Sequence, residues 1–521
     1  MKPTSRDLTT RVAAAHAAVA DAGRLEAMAK RAKHGQMSAR QRVQTLVDPD
    51  SFRETGALVE PMRDNDFNRA LQAPADGIIT GTARIDGRLA NVAAHDYTVA
   101  GGSSGKVGGR KLERLMHHSR DNGLPLTLLL EGGGHRIQDG MNAAHFAGAS
   151  PVFQNMADLS GWVPLVAAMM GQGFAGPTNY AALADFVVMV KGMATMGMAG
   201  PALVKAGTGQ NVDKEELGGA SVQVATHGPA DLAVDSEEEC LDAVRKFLSY
   251  FPSNARAEPA FTEARLPPEH DPDTLLDLVT ADSRKVYDVN QVIQVIADRD
   301  SVFELKPKYA RNVVTCLARL NGKPLGIVAN QPRRMGGILD TRASEKAARF
   351  VGLCDAFGLP LAFLIDVPGF SIGPAAEATG LGRRSGRLFY ELGIATVPRV
   401  SIVLRKGYGG GYFAMAGGRA FDADACFAWP TAELCAMSIE GAVDVAFRRE
   451  YQDADDPPAA RQAIIDRIRG QTGAIEAAHD FGVDAVIDPR DTRARLVEVL
   501  AAAAPRRQPR SPQRFRPISP V

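Results

Sequence analysis

An α/β fold built from two copies of one unit is predicted by an internal repeat and by the order of the elements within it. Residues 123–134 read GLPLTLLLEGGG and residues 358–369 read GLPLAFLIDVPG, at an offset of 235. The same offset pairs the Gly-Gly step at 101–102 with the one at 336–337. In each copy, apolar runs typical of buried strands alternate with helical patterns, which indicates α/β layers rather than an all-α or all-β fold.

Two predicted helices precede the repeat. The amphipathic pattern over residues 7–34 predicts a first helix that ends at Gly35. Ser38 is placed to cap a second helix over 39–47, because a serine oxygen can accept a hydrogen bond from a free amide of the first helical turn.

The start of each copy is repeated at a larger offset. LVDPDSFRE at 46–54 parallels IADRDSVFE at 296–304, at an offset of 250. The first copy therefore carries about fifteen extra residues, which we place in the loop near 60–76. A hairpin turn follows in each copy, Asp-Gly at 86–87 and Asn-Gly at 321–322, and both dipeptides favour tight turns.

Two buried strands in each copy run into glycine-rich loops. LTLLL at 126–130 and LAFLI at 361–365 are continuous apolar runs, which fit parallel strands covered on both faces. The segment 163–177 parallels 397–411 at an offset of 234, so a second strand and its loop recur as well. The sequence thus predicts the same strand–loop pair twice.

Composition divides the chain into segments. Residues 252–274 are rich in Pro, Glu and Ala without an apolar period, and the last residues are rich in Arg and Pro without an acid. We predict a first domain over 1–258, a linker over 259–274, a second domain over 275–504 and a basic disordered tail over 505–521.

Charge and cysteine content exclude several functions. The 60 Lys and Arg residues balance 60 Asp and Glu residues, so no global field attracts nucleic acid or an anionic membrane. The five cysteines form no C-x-x-C pair, which argues against a zinc ribbon and fits a reducing compartment. Without a signal-peptide core or a run of 18 apolar residues, we expect a cytoplasmic chain that neither spans a membrane nor binds a metal.

The strand-to-glycine junctions are the candidate site. Glycine leaves backbone N–H groups uncovered, and two such amides aimed at one oxygen form an oxyanion hole. One such loop is more often a plain turn, but two matched sets favour a function. A dinucleotide fingerprint is the competing interpretation, and neither 132–134 nor 409–411 has its spacing. The junctions are Glu131-Gly132-Gly133-Gly134 and Gly171–Gly176 in the first copy, and Asp366-Val367-Pro368-Gly369 and Gly407–Tyr412 in the second.

Three side chains beside these glycines are further candidates. His135 follows the first glycine triplet, where a supporting role and a proton-transfer role are both open. Tyr408 and Tyr412 flank the second-copy glycines, and their rings either wall a planar ligand or pack under the loop.

Longer stretches of the sequence, from about residue 30 to residue 503, carry a family resemblance. They are DGIITGTARIDGR (76–88), GGxxG (101–105), RIQDG (136–140), EELGG (215–219), LSYFPSN (248–254), KYARNVVTCLARLNGKPLGIVANQP (308–332), KAARFVGLCDAFGLPL (346–361), DVPGF (366–370), ATVPRVSIVLRKGYGGGY (395–412), WPTAE (429–433), EGAVDVAFRRE (440–450) and VIDPRDTR (486–493). On these stretches the chain resembles the carboxyltransferase β subunit of biotin-dependent acyl-CoA carboxylases, of the propionyl-CoA carboxylase type.

The resemblance implies two tandem crotonase/ClpP-like spiral αβ domains, one per copy. It implies transfer of CO₂ from carboxybiotin to the α carbon of an acyl-CoA, with the first domain on the acyl-CoA side and the second on the carboxybiotin side. By the same resemblance, the amides of Gly133 and Gly134 hold the thioester enolate, and those of Gly410 and Gly411 hold the biotin ureido oxygen. The other implied site residues are Gly101, Gly102, Arg136 and Phe413 for the substrate, and Tyr408, Gly409 and Tyr412 for biotin.

Partners also follow from the resemblance. It implies a homohexamer in which the site forms between subunits, and biotin on a partner biotin carboxylase/biotin carrier α subunit, since this chain has no M-K-M attachment motif. His135, Ser385 and Phe413 depart from the family pattern, which leaves the acyl group open. Two alternatives remain: a decarboxylase or transcarboxylase component that uses the site in reverse, and a diverged scaffold without activity.

Overall fold

The computed structural model describes residues 3–259, 261–262, 271–282 and 284–506. The chain divides into two compact units, Met1–Ala257 and Glu258–Val521, hereafter unit 1 and unit 2. Much of the predicted linker and all but the first two residues of the predicted tail lie outside the described residues.

Unit 1 is an eight-stranded sheet with helices packed on both faces. Helices α5 and α8 cover one face through an apolar core, and α3 and α13 cover the other. The elements are α1 Ser5–Val19, α2 Leu25–Lys33, α3 Ala39–Leu46, β1 Arg53–Thr55, α4 Asp66–Ala70, β2 Ile78–Ile85, β3 Arg88–His95, α5 Lys106–Asn122, β4 Leu126–Gly132, α6 Ile137–Gly140, α7 Ala143–Ala147, α8 Val152–Leu159, β5 Leu165–Phe174, α9 Gly176–Leu183, β6 Phe186–Val190, β7 Thr195–Gly197, α10 Pro201–Thr208, α11 Lys214–Gly218, α12 Ala220–Val222, β8 Leu232–Val234 and α13 Glu237–Tyr250.

Unit 2 contains a second eight-stranded sheet with its own apolar core. Its elements are α14 Thr274–Leu278, α15 Val289–Ile296, β9 Phe303–Leu305, β10 Val313–Leu320, β11 Lys323–Asn330, α16 Thr341–Ala356, β12 Leu361–Val367, α17 Pro374–Glu377, α18 Leu381–Ile394, β13 Arg399–Tyr408, α19 Gly409–Ala414, β14 Ala425–Ala428, β15 Glu433–Cys435, α20 Ile439–Ala446, α21 Arg448–Gln452, α22 Pro457–Arg469, α23 Ala474–His479, β16 Ala485–Val486 and α24 Thr492–Ala502.

The two sheets have the same topology, which confirms the predicted duplication. In unit 1 the strands lie in the order β1-β2-β3-β4-β5-β6-β8, with β7 beside β5, and unit 2 runs β9-β10-β11-β12-β13-β14-β16, with β15 beside β13. Each sheet starts with antiparallel pairs and continues with parallel ones. The carboxyl ends of the central strands therefore meet at one edge, and the glycine loops follow at that edge.

An aspartate repeats with the fold and fixes the hairpin turn of each unit. The Asp48 carboxylate accepts hydrogen bonds from the amides of residues 86 and 87, the second at 2.8 Å. Asp298 accepts the equivalent pair from residues 321 and 322, at 3.0 and 2.7 Å. All four turn residues have positive φ, between 49° and 79°, so an Asp-Gly or Asn-Gly turn is required. The residues paired by the predicted offset of 250 therefore make the same contact in both units.

One predicted helix is wrong at the N-terminus. The pattern over 7–34 forms two helices, because Ala20 is extended and residues 21–23 form a 3₁₀ turn. The broken conformation requires glycine at position 23, where a Cβ would lie 2.9 Å from the Ala18 carbonyl oxygen. Beyond the break, Arg24 pairs with Asp96 at 2.7 Å, so the second helix is directed toward the sheet. The following helix at 39–46 is capped by Ser38, as predicted.

Each unit also buries one lysine at matched positions. The Lys111 ammonium donates to the carbonyls of Ala75 and Ile78, and Lys346 donates to three carbonyls, including that of Val313 at 2.7 Å. Burial lowers the pKa of Lys111 to about 8, with attraction from Glu54 partly opposing that shift. Both lysines thus close loops that would otherwise leave carbonyls unpaired in the interior.

Along the part of the chain that the structure describes, no helix is long and apolar enough to cross a membrane.

We expect the Lys111 charge to make unfolding depend on pH. Because its native pKa is near 8 and its unfolded value near 10.5, the unfolded chain binds more protons between these values, and stability rises with pH there. The difference in free energy of unfolding between the native protein and the Lys111→Met variant should change in favour of the native protein by up to about 3 kcal/mol as the pH rises through this window. Urea unfolding at several pH values measures it. If the free energies of unfolding of the two proteins changed with pH in parallel, the lowered pKa of Lys111 would be contradicted.

Candidate functional site

A buried acid ends the central strand of each unit, directly before the glycine loop. In unit 1, Glu131 pairs with Arg31 at 2.8 Å and also with Arg42, which in turn pairs with Glu237 at 2.6 Å. All four side chains are buried. Each charge is therefore compensated, as a buried carboxylate requires.

In unit 2 the equivalent buried acid is paired with different cations. Asp366 pairs with Arg405 at 3.0 Å and with Lys406 at 3.3 Å, and both cations lie on the adjacent strand β13. The residue equivalent to Arg405 in unit 1 is Gly171, and a Cβ there would collide with the Glu131 carboxyl group. The glycine leaves room for arginines from the N-terminal helices.

Glycine backbones pack directly on each other beneath the loops. In unit 1 a Cβ on Gly102 would lie 2.7 Å from the Glu131 carbonyl oxygen and 2.9 Å from the Gly132 Cα. In unit 2 a Cβ on Gly337 would lie 2.6 Å from the Asp366 carbonyl oxygen. Only glycine fits at these positions, because real Cβ atoms do not approach backbone so closely. The loop after the hairpin is thus held against the loop after the central strand.

Two glycines of unit 1 lie close together at this edge. A Cβ on Gly134 would lie 3.0 Å from the Gly176 nitrogen, and one on Gly176 would lie 3.3 Å from the Gly134 Cα. Among the residues that the structure describes, neither amide donates to a protein acceptor. Gly176 begins α9, so its amide also carries the positive end of the helix dipole. Backbone amides without a protein acceptor can donate to an oxygen that becomes negative.

The amide of Gly133 is engaged elsewhere. It donates to the Gly101 carbonyl oxygen at 3.3 Å, which ties the two loops together. The Gly133 amide thus has an acceptor within the protein, whereas the Gly134 and Gly176 amides have none among the described residues, and the predicted pairing of Gly133 with Gly134 stays a prediction. The sequence already indicated a role for Gly176, because the offset of 234 places it opposite Gly410.

The segment 171–176 has the G-x-G-x-x-G spacing of a dinucleotide-binding loop. It follows β5 rather than the first strand of the parallel sheet, and no acid lies about 20 residues further on, so it does not match that fingerprint.

The residue before Gly176 has a strained backbone. Ala175 has φ 59° and ψ −112°, a region that residues with a Cβ rarely occupy. Its equivalent in unit 2 is Gly409, whose φ of 57° is also positive but costs little because glycine has no Cβ. The next positions differ as well, because Pro177 has no N–H group whereas its equivalent, Gly411, has one.

In unit 2 the glycine loop is partly open. Gly410 is exposed, and a Cβ there would meet only the Phe370 ring, at 3.3 Å. Gly411 is buried against Gly369, with 2.9 Å between a Cβ at position 411 and the Gly369 Cα. Phe413 is 47% exposed. The surface around Gly410 thus presents a backbone amide beside aromatic rings.

The two tyrosines pack under this loop rather than beside an open face. The Tyr408 hydroxyl donates to Glu433, and the Tyr412 hydroxyl lies 3.7 Å from the Cys426 sulfur. Burial raises the pKa of both phenols, so both remain protonated. Both rings therefore support the turn that carries the glycines, and their predicted contact with biotin stays a prediction.

Arg136 is also interior. Its guanidinium lies 2.9 Å from the Asp76 carboxylate and has no exposed surface. A buried arginine in this place supports the glycine loop that precedes it, and the predicted contact of Arg136 with the substrate stays a prediction. His135 before it packs edge-on against Phe146, with 5.9 Å between ring centroids, and its Nε2 is buried without a partner among the described residues. No group of His, Cys, Asp or Glu in the described ranges is arranged to hold a metal ion.

The sequence and the structure both match known carboxyltransferases. The carboxyl transferase domain model matches residues 30–518. The chain is 39% identical to the propionyl-CoA carboxylase carboxyltransferase subunit of Haloferax mediterranei, over 89% of this chain and 90% of that protein. It is 34% identical to the methylmalonyl-CoA decarboxylase subunit alpha of Veillonella parvula, over 93% of each chain.

A solved structure supports the fold over the whole chain. The transcarboxylase 12S hexamer, with methylmalonyl-coenzyme A and methylmalonic acid bound, superposes with a TM-score of 0.92 at 37% identity, covering 99% of both chains. The predicted pair of crotonase-like αβ domains is thereby confirmed.

The strain at Ala175 gives a stability prediction. Ala175→Gly should raise the free energy of unfolding by about 1 kcal/mol, because relief of the positive φ outweighs the entropy that a glycine adds to the unfolded chain. The matched control is Ala157→Gly on the exposed face of α8, which should lower stability by roughly 0.5–1 kcal/mol. Chemical denaturation of both variants measures this. Equal losses in both would mean that Ala175 is not strained.

Proposed function

We propose, from the premise that this chain belongs to the carboxyl transferase family, that unit 1 holds the acyl-CoA thioester and unit 2 holds carboxybiotin delivered by a partner subunit. The chain is a biotin-dependent acyl-CoA carboxyltransferase, as its relatives are. The observation that carries the division of labour is the close approach of Gly134 and Gly176 in unit 1.

The two amides act on the substrate oxygen. Removal of a proton from the α carbon turns the thioester into an enolate, and its negative charge develops on the carbonyl oxygen. Gly134 and Gly176 donate to that oxygen at the moment when charge appears, which is worth more than binding the neutral thioester. The enolate carbon then forms its bond to CO₂.

Unit 2 fits a flat urea ring. Gly410 has open space and an exposed amide, and the Phe370 ring stands beside it. Carboxybiotin, when bound, would supply CO₂ and a basic nitrogen for the α proton. Gly410 and Gly411 would hold its ureido oxygen through their backbone amides, which favours negative charge on that oxygen. No side-chain base is needed in this scheme, and Tyr408 and Tyr412 stay protonated beneath the loop.

The same site can also catalyse the reverse reaction, removal of a carboxyl group from an acyl-CoA. The Veillonella decarboxylase subunit and the transcarboxylase 12S subunit match 93% and 99% of this chain, and the Haloferax carboxylase subunit matches 89%. Proton and carboxyl transfer at one site are reversible, so the direction depends on the partner subunits. A scaffold without activity is disfavoured, because both glycine loops keep their close backbone contacts.

The proposed assembly follows the 12S structure, which forms a hexamer. We propose six copies of this chain with a biotin carboxylase/biotin carrier α subunit in the cytoplasm. Reconstitution with ATP, bicarbonate and acyl-CoA thioesters of increasing length tests the activity. Transfer to at least one thioester is expected, and no product with any of them, in either direction, would overturn the proposal.

Substitution at either loop should stop transfer while leaving the assembly intact. Gly134→Val blocks the approach to the Gly176 amide, and Gly410→Val fills the space beside Phe370. We expect each to lower kcat by at least ~10²-fold, the typical loss of an oxyanion-hole donor. Gly207→Val on the exposed α10 is the control, since its Cβ meets nothing. Size-exclusion chromatography checks the assembly, and near-normal transfer by either loop variant would contradict that loop's assignment.

A further inference from the structure

One cavity of unit 1 lies outside the glycine site. It has a volume of about 590 Å³ and is bounded by one side of helix α5 and by strands β1 and β2. This volume falls within the range of about 300–1,000 Å³ that is usual for small-molecule sites. None of the residues that line it belongs to a glycine loop, so the proposed carboxyl transfer does not account for it.

A buried asparagine holds a histidine at the cavity wall. Asn91 on β3 has no exposed surface, and its side-chain nitrogen lies 3.1 Å from Nδ1 of His118, which lines the cavity. Asn91 also donates to the Ser119 hydroxyl at 2.8 Å and accepts from the Thr82 hydroxyl at 2.8 Å. When Nδ1 accepts from the Asn91 amide, Nε2 of His118 carries the hydrogen and is left to donate to a ligand.

Unit 2 has the same backbone at this place without the polar network. The Thr80 hydroxyl donates to the Thr55 carbonyl oxygen at 3.0 Å, and the equivalent Thr315 donates to the Leu305 carbonyl oxygen at 3.1 Å. The four network positions of unit 1 correspond at an offset of 235 to Leu317, Gly326, Leu353 and Cys354. Because the shared fold forms without a polar network in unit 2, folding alone does not explain why unit 1 has one.

Two arginines precede this histidine on the same face of α5. Arg110, Arg114 and His118 follow one another at intervals of four residues, and all three line the cavity. Among the residues that the structure describes, no acid lies within ion-pair distance of either guanidinium. Like charges one helical turn apart repel each other, so an anion bound between the two arginines would relieve that repulsion. In unit 2 the first of these positions is Glu345, which pairs with Arg384 at 2.6 Å.

The other charged groups of the cavity leave it positive. Lys111 lines it as well, and its ammonium already donates to two backbone carbonyls, so it adds charge without reaching a ligand. Of the two acids in the lining, Asp121 accepts a hydrogen bond from Arg120 at 2.9 Å. Glu113 therefore offsets only one of the three cations, and the cavity attracts anions.

The donor set fits a phosphate group better than a carboxylate. Two guanidinium groups and one imidazole offer donors from three side chains, which match the three terminal oxygens of a phosphate, whereas a carboxylate has only two oxygens. The cavity is larger than a phosphate ion, so it also has room for the organic part of an ester. We propose that this cavity binds the phosphate group of a small ligand through Arg110, Arg114 and His118. The ligand is either a phosphate monoester or the free ion.

Calorimetry at constant ionic strength tests the site with three probes: glycerol 3-phosphate, inorganic phosphate and glycerol. The native protein should bind both phosphate probes and not glycerol. Arg110→Glu, which introduces the acid that unit 2 has at this position, should weaken phosphate binding by about tenfold or more, because a charge-assisted hydrogen bond is replaced by repulsion. Arg11→Ala, at an exposed arginine of α1 outside the cavity, is the control and should bind as the native protein does.

A second variant tests the asparagine-held histidine. His118→Leu, which introduces the leucine that unit 2 has, removes a donor without changing the two arginines, and it should also weaken phosphate binding. Thermal unfolding without ligand checks that both variants fold.

The probes also identify the source of the phosphate group. Tighter binding of glycerol 3-phosphate than of inorganic phosphate would support an ester as the ligand, and equal affinities would support the free ion. No binding of either probe by the native protein, or equal binding by the native protein and Arg110→Glu, would overturn the inference. Competitive inhibition of carboxyl transfer against acyl-CoA by glycerol 3-phosphate would also overturn it, because the ligand would then belong to the substrate site. The binding measurements need no turnover, so they stand apart from the proposed function.

Discussion

The structure depends on close contacts between glycine backbones. At the strand ends of each unit, one loop lies so near the next that a single Cβ, at Gly102 or Gly132 in unit 1 and at Gly337 or Gly411 in unit 2, would separate them. These contacts hold the loops without using side chains or covering the amides above them. In unit 1 they leave the Gly134 amide next to that of Gly176, at the start of α9. The hole that we propose for an anionic oxygen would therefore be built from backbone packing alone.

A buried acid supports each of these loops, and the two copies stabilise it differently. A carboxylate in the interior requires cations, and unit 2 takes Arg405 from the neighbouring strand. Unit 1 has Gly171 at that position and receives Arg31 and Arg42 from its N-terminal helices instead. The glycine therefore links the N-terminal helices to the site. The cations therefore come from different elements in the two units, while the sheet underneath has the same strand order.

Most of the fold could be predicted from the sequence because the duplication repeats local signals. Hairpin turns, capped helices and buried apolar strands each depend on residues near one another, and Ser38 and the 86–87 turn are examples. The site was only partly predictable. Gly134 was identified, but the pairing with Gly176 depends on two loops meeting in space, and the link from Arg31 to Glu131 spans 100 residues. Burial of Arg136 and Tyr412 also depends on packing, which spacing alone does not reveal.

The central claim is that the backbone amides of unit 1 bind the oxygen that becomes negative. A crystal structure of the assembled protein with an acyl-CoA bound, in the absence of carboxybiotin, tests this most directly. We predict that the thioester oxygen lies within about 2.7–3.1 Å of the amide nitrogens of both Gly134 and Gly176. A thioester oxygen bound elsewhere, with these two amides facing water, would contradict the account.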